Sequence, residues 1–278
     1  MTSINGFQAG YKLLFRTMSD VVKITIEFEA AESKRFRMFS GAFVRGFVYW
    51  TLSKINRTFA KKLHSSKMLA PFSVTPVMSN GKIVEKIEEG ENYKFSITFF
   101  IPEIGEALKS YLISTDKLYF TATENPLKKV EVKYCDEKSL MYNTIRKFKI
   151  DFISPCYFRV PSKSYRFVPL PIPNLMFKSL ARLHSAFLSE IPLQYREWLN
   201  HNGITVSGFK IETQKVLLKK GKWASGFVGY VNFSIPEDSY VEEYAKITSK
   251  LLNFGEYSNV GGGRTSGLGV IKLNVKTQ

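Results

Sequence analysis

Two stretches of this chain gather residue types that handle phosphate. The first is Asn259-Val260-Gly261-Gly262-Gly263-Arg264-Thr265-Ser266-Gly267-Leu268-Gly269, five glycines around one arginine and two hydroxyls. Glycine permits positive φ and lets a ligand approach main-chain N–H groups. A guanidinium grips phosphate oxygens in pairs, and hydroxyls donate to them. Gly261, Gly263, Arg264, Thr265, Ser266, Gly267 and Gly269 are therefore candidate phosphate ligands; the plainer reading is a flexible turn before a last strand. The run fits neither common nucleotide loop: no Gly-Lys-Ser/Thr follows a four-residue gap, and the glycines precede a strand. The second stretch is Lys219-Lys220-Gly221-Lys222, preceded by Lys210 and Lys215 and followed by Trp223. A tip of lysines suits phosphates and shape, the means by which A-form RNA is mostly recognised. An ordinary exposed hairpin tip has the same composition.

The whole chain leans the same way. Forty Lys and Arg against 24 Asp and Glu leave +16 on 278 residues, an excess that attracts polyanions by counterion release and long-range steering. Nucleic acid is the leading partner. With 44% apolar residues the chain is globular and long enough for one large or two small domains. Cys135 and Cys156 have neither metal-ligand nor redox spacing and define no disulfide framework, which favours an intracellular setting. The apolar stretch Gly6 to Thr17 lacks the length of a membrane span and the features of a leader, so no membrane is expected and the cytoplasm is the expected location. With no HExxH, no Cys–His metal spacing and no acidic cluster suited to magnesium, neither a metal nor another cofactor is expected.

The elements that must position these residues follow from periodicity. Val21 to Glu29 alternates as a half-buried strand does. A helix is expected from Ser33 to Lys54, with Phe36, Phe39, Phe43, Phe47 and Trp50 as its buried stripe and Gly41, Arg45, Tyr49 and Ser53 on another face. Asn56 caps a second short helix that ends near Ser65. Strands near 71–77 and 92–101, a helix from Glu103 to Ile113 and a strand from Lys128 to Lys133 complete a βαββαβ order. The order then repeats: a strand from Lys147 to Ile153, a helix through Leu175, Phe177, Leu180 and Leu183, a hairpin of Ile204–Leu218 with Trp223–Ile235, a helix from Glu237 to Asn253, and a strand from Gly269 to Val275. The fold class is α+β, two tandem ferredoxin-like (RRM-like) modules. The expected divisions are an extension over 1–20, a first module over 21–145 and a second over 146–278.

Read as Asn-Val-Gly, five residues, Gly-Leu-Gly, the 259–269 run resembles the C-terminal glycine-rich signature of the RAMP (repeat-associated mysterious protein) superfamily, and in particular its CRISPR repeat-RNA processing endoribonucleases. Asn259 stands where the signature has its first glycine; asparagine tolerates left-handed geometry well. The resemblance extends to Ile150-Asp151-Phe152-Ile153-Ser154-Pro155 with Leu170-Pro171-Ile172-Pro173, similar to the family's opening of its second module. Arg45-Gly46-Phe47-Val48-Tyr49, followed by Ala60-Lys61-Lys62-Leu63-His64, is similar to the segments that carry catalysis in archaeal members.

The resemblance implies catalytic roles for Tyr49 and His64, and phosphate stabilisation by a third residue, a lysine. Counting from His64 without gaps, that position is Ala70. Lys67 is the candidate replacement and Arg45 the second, the latter also a candidate RNA ligand. The chemistry is self-consistent, because RNA carries its own nucleophile: aligning a 2′-hydroxyl with the phosphorus requires a base, an acid and a cation. An imidazole with a pKa of about 6.5 can protonate the departing 5′-oxygen, and Tyr49 or His64 can handle the 2′-hydroxyl proton. The implied function is metal-independent cleavage of CRISPR precursor RNA within its repeats, leaving a 2′,3′-cyclic phosphate and a 5′-hydroxyl. The alternative is a non-catalytic RAMP-type RNA-binding subunit of a CRISPR effector complex, favoured by Asn259 and Ala70; a third reading is a protein that binds other structured RNA. The implied partners are repeat RNA and other effector subunits, the protein being a monomer or a homodimer. His184 and His201 read as structural residues.

Overall fold

A computed structural model describes residues 20–65, 69–140, 144–159 and 167–274, and all side chains there except those of Phe59, Lys62, His64 and Ser65. The first half runs β1 (Val21–Glu29), α1 (Ser40–Ile55), α2 (Arg57–Ser65), β2 (Phe72–Val74), β3 (Asn92–Phe99), α3 (Pro102–Ile113) and β4 (Thr123–Cys135). In β1 every second residue, Val22, Ile24, Ile26 and Phe28, is buried, the period-2 pattern of a strand with one covered face. β1 is central and antiparallel to both neighbours, with Ile24 opposite Ile97 of β3 and Val132 of β4. β2 extends the sheet beyond β3, so the order β2-β3-β1-β4 is that of a ferredoxin-like module. Phe47 of α1 meets Phe95 and Phe120 edge-on at 5.6 and 6.4 Å. Those contacts seat α1 on the sheet, and burying such a ring contributes about 2–3 kcal/mol.

The second half repeats the plan with β5 (Lys147–Cys156), α4 (Pro173–Phe187), α5 (Leu193–Asn200), β6 (Thr205–Lys219), β7 (Lys222–Ser234), α6 (Glu242–Ser258) and β8 (Ile271–Asn274). Its sheet order is β6-β7-β5-β8. The tandem ferredoxin-like expectation is met. No helix among the described residues is long and apolar enough to cross a membrane.

Two expectations need correction. The first helix starts at Ser40, not Ser33, because Lys34-Arg35 pairs as a strand with Lys86-Ile87 and the Phe36 N–H donates to Glu85 O at 2.8 Å. Phe36 and Phe39 thus precede the helix, and Ser40, Gly41, Ala42, Val44, Phe47, Val48, Thr51 and Leu52 are its buried residues, with Trp50 half-buried against Tyr119. The helix expected from Glu237 starts at Glu242, after a 3-10 turn at Glu237–Ser239, and continues to Ser258.

The modules meet over a shared core. Phe100 lies 5.4 Å from Phe187 and 5.5 Å from Phe254, and Ser73 Oγ donates to Tyr257 O at 2.7 Å. Beside this contact His184 is buried, with Nδ1 2.9 Å from Ser189 O and Nε2 3.5 Å from Glu137 Oε1. Burial, with the Lys250 ammonium beside it, pulls its pKa down to about 4, so the imidazole is neutral at pH 7. His201 is exposed, with Nδ1 2.9 Å from Glu197 O.

Candidate active site

The glycine-rich loop begins where α6 ends. Asn259 turns the chain with φ +58°, and its Nδ2 lies 2.9 Å from Val74 O and 3.2 Å from Leu268 O. Asparagine thus takes the positive φ and adds side-chain ties that glycine lacks, one of them to β2 of the other module. Gly261, Gly263, Gly267 and Gly269 all have positive φ, between +70° and +77°. A Cβ at Gly269 would sit 1.8 Å from Val260 O, one at Gly261 2.4 Å from Tyr157 O, and one at Gly267 2.9 Å from Pro76 N. Across the joint, a Cβ at Gly41 of α1 would meet Ser266 O at 2.2 Å. Protein backbone approaches these glycines closely. The amides point inward too: the N–H groups of Gly262 and Gly269 donate to Tyr157 O and Pro155 O, and those of Ser266 and Leu268 to Gly263 O.

Arg264 is placed otherwise than a phosphate ligand at the surface would be. Only 8% exposed, it donates from Nη1 to Phe72 O at 2.7 Å and from Nη2 to Ala70 O. Burial, and then the nearby Arg182 guanidinium, pull its pKa down to about 9, with Tyr49 opposing them. It remains a cation at neutral pH. Its donors satisfy two main-chain carbonyls whose loss would leave buried acceptors unpaired. Ser266, Gly267 and Gly269 are buried, leaving Gly261, Gly263 and Thr265 partly exposed.

The α1 face expected to be free for chemistry lies against this loop. Arg45 donates from Nη1 to Ser266 Oγ at 2.9 Å, and Tyr49, one turn on, is half-buried with its ring edge-on to Phe72 at 5.6 Å. Burial raises the phenol pKa above its usual value, while Arg45 and Arg264 oppose the rise. Tyr49 is therefore protonated at neutral pH, a hydrogen-bond donor. His64 occupies the last turn of α2, and its side chain lies outside the described residues, as does the whole of Lys67. Ala70 follows closely, its carbonyl fixed by Arg264.

The lysine tip is built as the sequence suggests. β6 and β7 pair from Thr205–Ser234 out to Lys219–Lys222, and Gly221 takes φ +74° at the turn with open space around it. Lys219, Lys220 and Lys222 are exposed, and Lys215 Nζ stands 5.1 Å from the Trp223 ring. The hairpin is tied to α1 through the Phe39 N–H, which donates to Leu217 O at 2.8 Å. Leu218 packs with Tyr157 and Leu268. The strand end just before the hairpin tip, the glycine loop and the start of α1 thus share one neighbourhood. Beside the loop is a cavity of about 650 Å³ whose walls include Ala70, Arg159, Lys178, Arg182 and Gly261 to Thr265. Sequence reasoning missed Arg159, Lys178 and Arg182; the available signal was the one-turn spacing of Lys178 and Arg182 on a helix whose other face is Phe177, Leu180 and Leu183.

Residues 150–271 match the family model described as CRISPR-associated endoribonuclease Cas6. A protein of that description from Mycobacterium tuberculosis is 28% identical over 129 residues, 46% of this chain and 39% of that protein. The match thus spans about two-fifths of the length of the curated relatives. Among solved structures, a Cas6 of Thermus thermophilus in a product complex has a TM-score of 0.75 and 18% identity, covering 91% of this chain and 100% of that one. A Cas6-related protein from Pyrococcus furiosus has a TM-score of 0.59 and 11% identity, covering 92% and 100%. At such identities the structural likeness establishes the fold. Residues 150–271 thus match the family model of the CRISPR-associated endoribonucleases Cas6, and the chain as a whole has the fold of the solved Cas6 proteins.

Proposed function

We propose that this protein is an endoribonuclease that cuts CRISPR precursor RNA within each repeat, without a metal, leaving a 2′,3′-cyclic phosphate and a 5′-hydroxyl. The observation that carries the reading is that Arg45 and Tyr49 of α1 and Ala70, six residues beyond His64, meet at one joint with the glycine loop. In this mechanism the 2′-hydroxyl oxygen forms a bond to phosphorus as the bond to the 5′-oxygen breaks. The 2′-hydroxyl proton passes to solvent water, and His64 delivers a proton to the departing 5′-oxygen. Tyr49, held as a neutral phenol, donates a hydrogen bond that orients the 2′-hydroxyl or a phosphate oxygen. Arg45 or Lys67 offsets charge on the phosphorane, where fixed cations are worth most. Lys219, Lys220 and Lys222 grip the RNA backbone, and the cytoplasm supplies the transcript.

The reading of a non-catalytic RNA-binding subunit rests on Ala70, which carries no cation where the resembling enzymes have one. Labelled repeat RNA incubated in excess EDTA separates the two. Cleavage expects one cut, abolished by a 2′-deoxy nucleotide before the cut, and His64→Ala slower by roughly 10²–10⁴ at unchanged affinity. Binding without any cut would favour the alternative, and cleavage of the deoxy RNA would exclude the 2′-hydroxyl mechanism.

A further inference from the structure

We infer that the cavity beside the glycine loop receives one phosphodiester of the RNA, and that Arg182 of α4, with Lys178 one turn before it, supplies from the second module the cation that Ala70 lacks. The inference rests on the proposed RNA cleavage and names a binding residue for it.

The walls carry the argument. They hold four cationic side chains, Arg159, Lys178, Arg182 and Arg264, and no aspartate or glutamate. Among the described residues no carboxylate pairs with Arg159, Lys178 or Arg182. Like charges facing one space without a counterion repel, and an anion between them removes that cost. Arg264, also in the lining, has its donors committed to the carbonyls of Phe72 and Ala70 and makes no phosphate contact of its own, and Arg182 lies close enough to depress its pKa. Arg182 is exposed, so it can turn towards an occupant at little cost in packing; Lys178 is half-buried and its ammonium donates to Asn200 Oδ1, a bond it would exchange for the phosphate. The volume of about 650 Å³ lies within the range of ligand pockets and holds a nucleotide. Leu69, Phe158 and Leu175 supply apolar wall for a sugar or base. Ala70, in the cavity wall, stands six residues beyond His64 in the sequence.

The test measures affinity for repeat RNA made uncleavable by a 2′-deoxy substitution, at several salt concentrations, together with single-turnover cleavage of the natural RNA. Arg182→Ala is expected to bind about tenfold more weakly at low salt and to flatten the slope of log affinity against log salt by about 0.7, one single-strand phosphate's share. Cleavage slows, while thermal stability, measured by circular dichroism, stays at the wild-type value because the side chain is exposed. Arg182→Lys restores most of the slope, which a merely structural role would not predict. Lys178→Ala gives a smaller change of the same sign. Should the wild type cut repeat RNA while Arg182→Ala and Lys178→Ala keep its slope and rate, the inference is overturned and the cleavage reading survives. Should the wild type bind without cutting while Arg182→Ala still flattens the slope, the cleavage reading falls and the cavity assignment stands. A wild type that does not cut the natural RNA and whose binding shows no salt dependence overturns both.

Discussion

The glycine loop and the hairpin tip look alike in sequence, each a cluster of glycine and cation before a strand, and they differ in what lies within reach. At Gly269 a Cβ would strike Val260 O at 1.8 Å, whereas at Gly221 it would meet nothing within 4 Å. Arg264 is 8% exposed and bonded to carbonyls of the other module, while Lys219, Lys220 and Lys222 are exposed. The loop's glycines are required by protein that approaches them, and the tip's glycine only by the turn. Glycine beside a cation therefore marks a close approach or a positive φ without saying whether a ligand or the protein's own backbone is the approaching party.

The comparison breaks most visibly in stability. Gly269→Ala, strained in φ and in collision with Val260, is expected to lose about 3 kcal/mol or more in urea unfolding. Gly221→Ala, strained in φ alone, is expected to lose about 1 kcal/mol. Equal losses would mean that the loop relaxes freely and is no joint. Arg264→Met keeps the volume and removes the donors; it should cost about 1–3 kcal/mol through the unpaired carbonyls of Ala70 and Phe72, and wild-type stability would remove the arginine from the joint.

A smaller effect sharpens the account of the module contact. His184 has a folded pKa near 4 against an unfolded value of about 6.5. The unfolded chain thus binds the extra proton first, and stability should decline as pH falls from about 6.5 to 4. His184→Gln should flatten the decline in a series of melting temperatures. An unchanged decline would assign it to other groups, such as Glu137, whose lowered pKa places its contribution at lower pH.

Much of the fold was legible because it rests on local pattern. The alternation of β1, the Phe177–Leu180–Leu183 stripe of α4, the hairpin around Gly221 and the positive φ of Asn259 all follow from period or turn chemistry. The early start assigned to α1 failed because Lys34-Arg35 pairs with a segment some fifty residues on, which periodicity does not register. α5 is short and buries only Tyr195 and Leu199, too little to stand out. In the site, Tyr49's face was legible as the side left after the apolar stripe. The burial of Arg264 was not, since its acceptors at Ala70 and Phe72 lie about 190 residues away in sequence, and the cavity cations went unread because only the tertiary fold brings α4 to Ala70.

The most direct test of the contrast is the salt dependence of binding to uncleavable 2′-deoxy repeat RNA, measured on folded Arg264→Met and on the triple variant Lys219→Ala, Lys220→Ala, Lys222→Ala. The account predicts that the triple variant flattens the slope of log affinity against log salt by about 0.7–0.9 for each lysine that meets a phosphate, while Arg264→Met leaves the slope at its wild-type value. The reverse outcome, a slope that drops by one phosphate's share in Arg264→Met and stays unchanged in the triple variant, would contradict it.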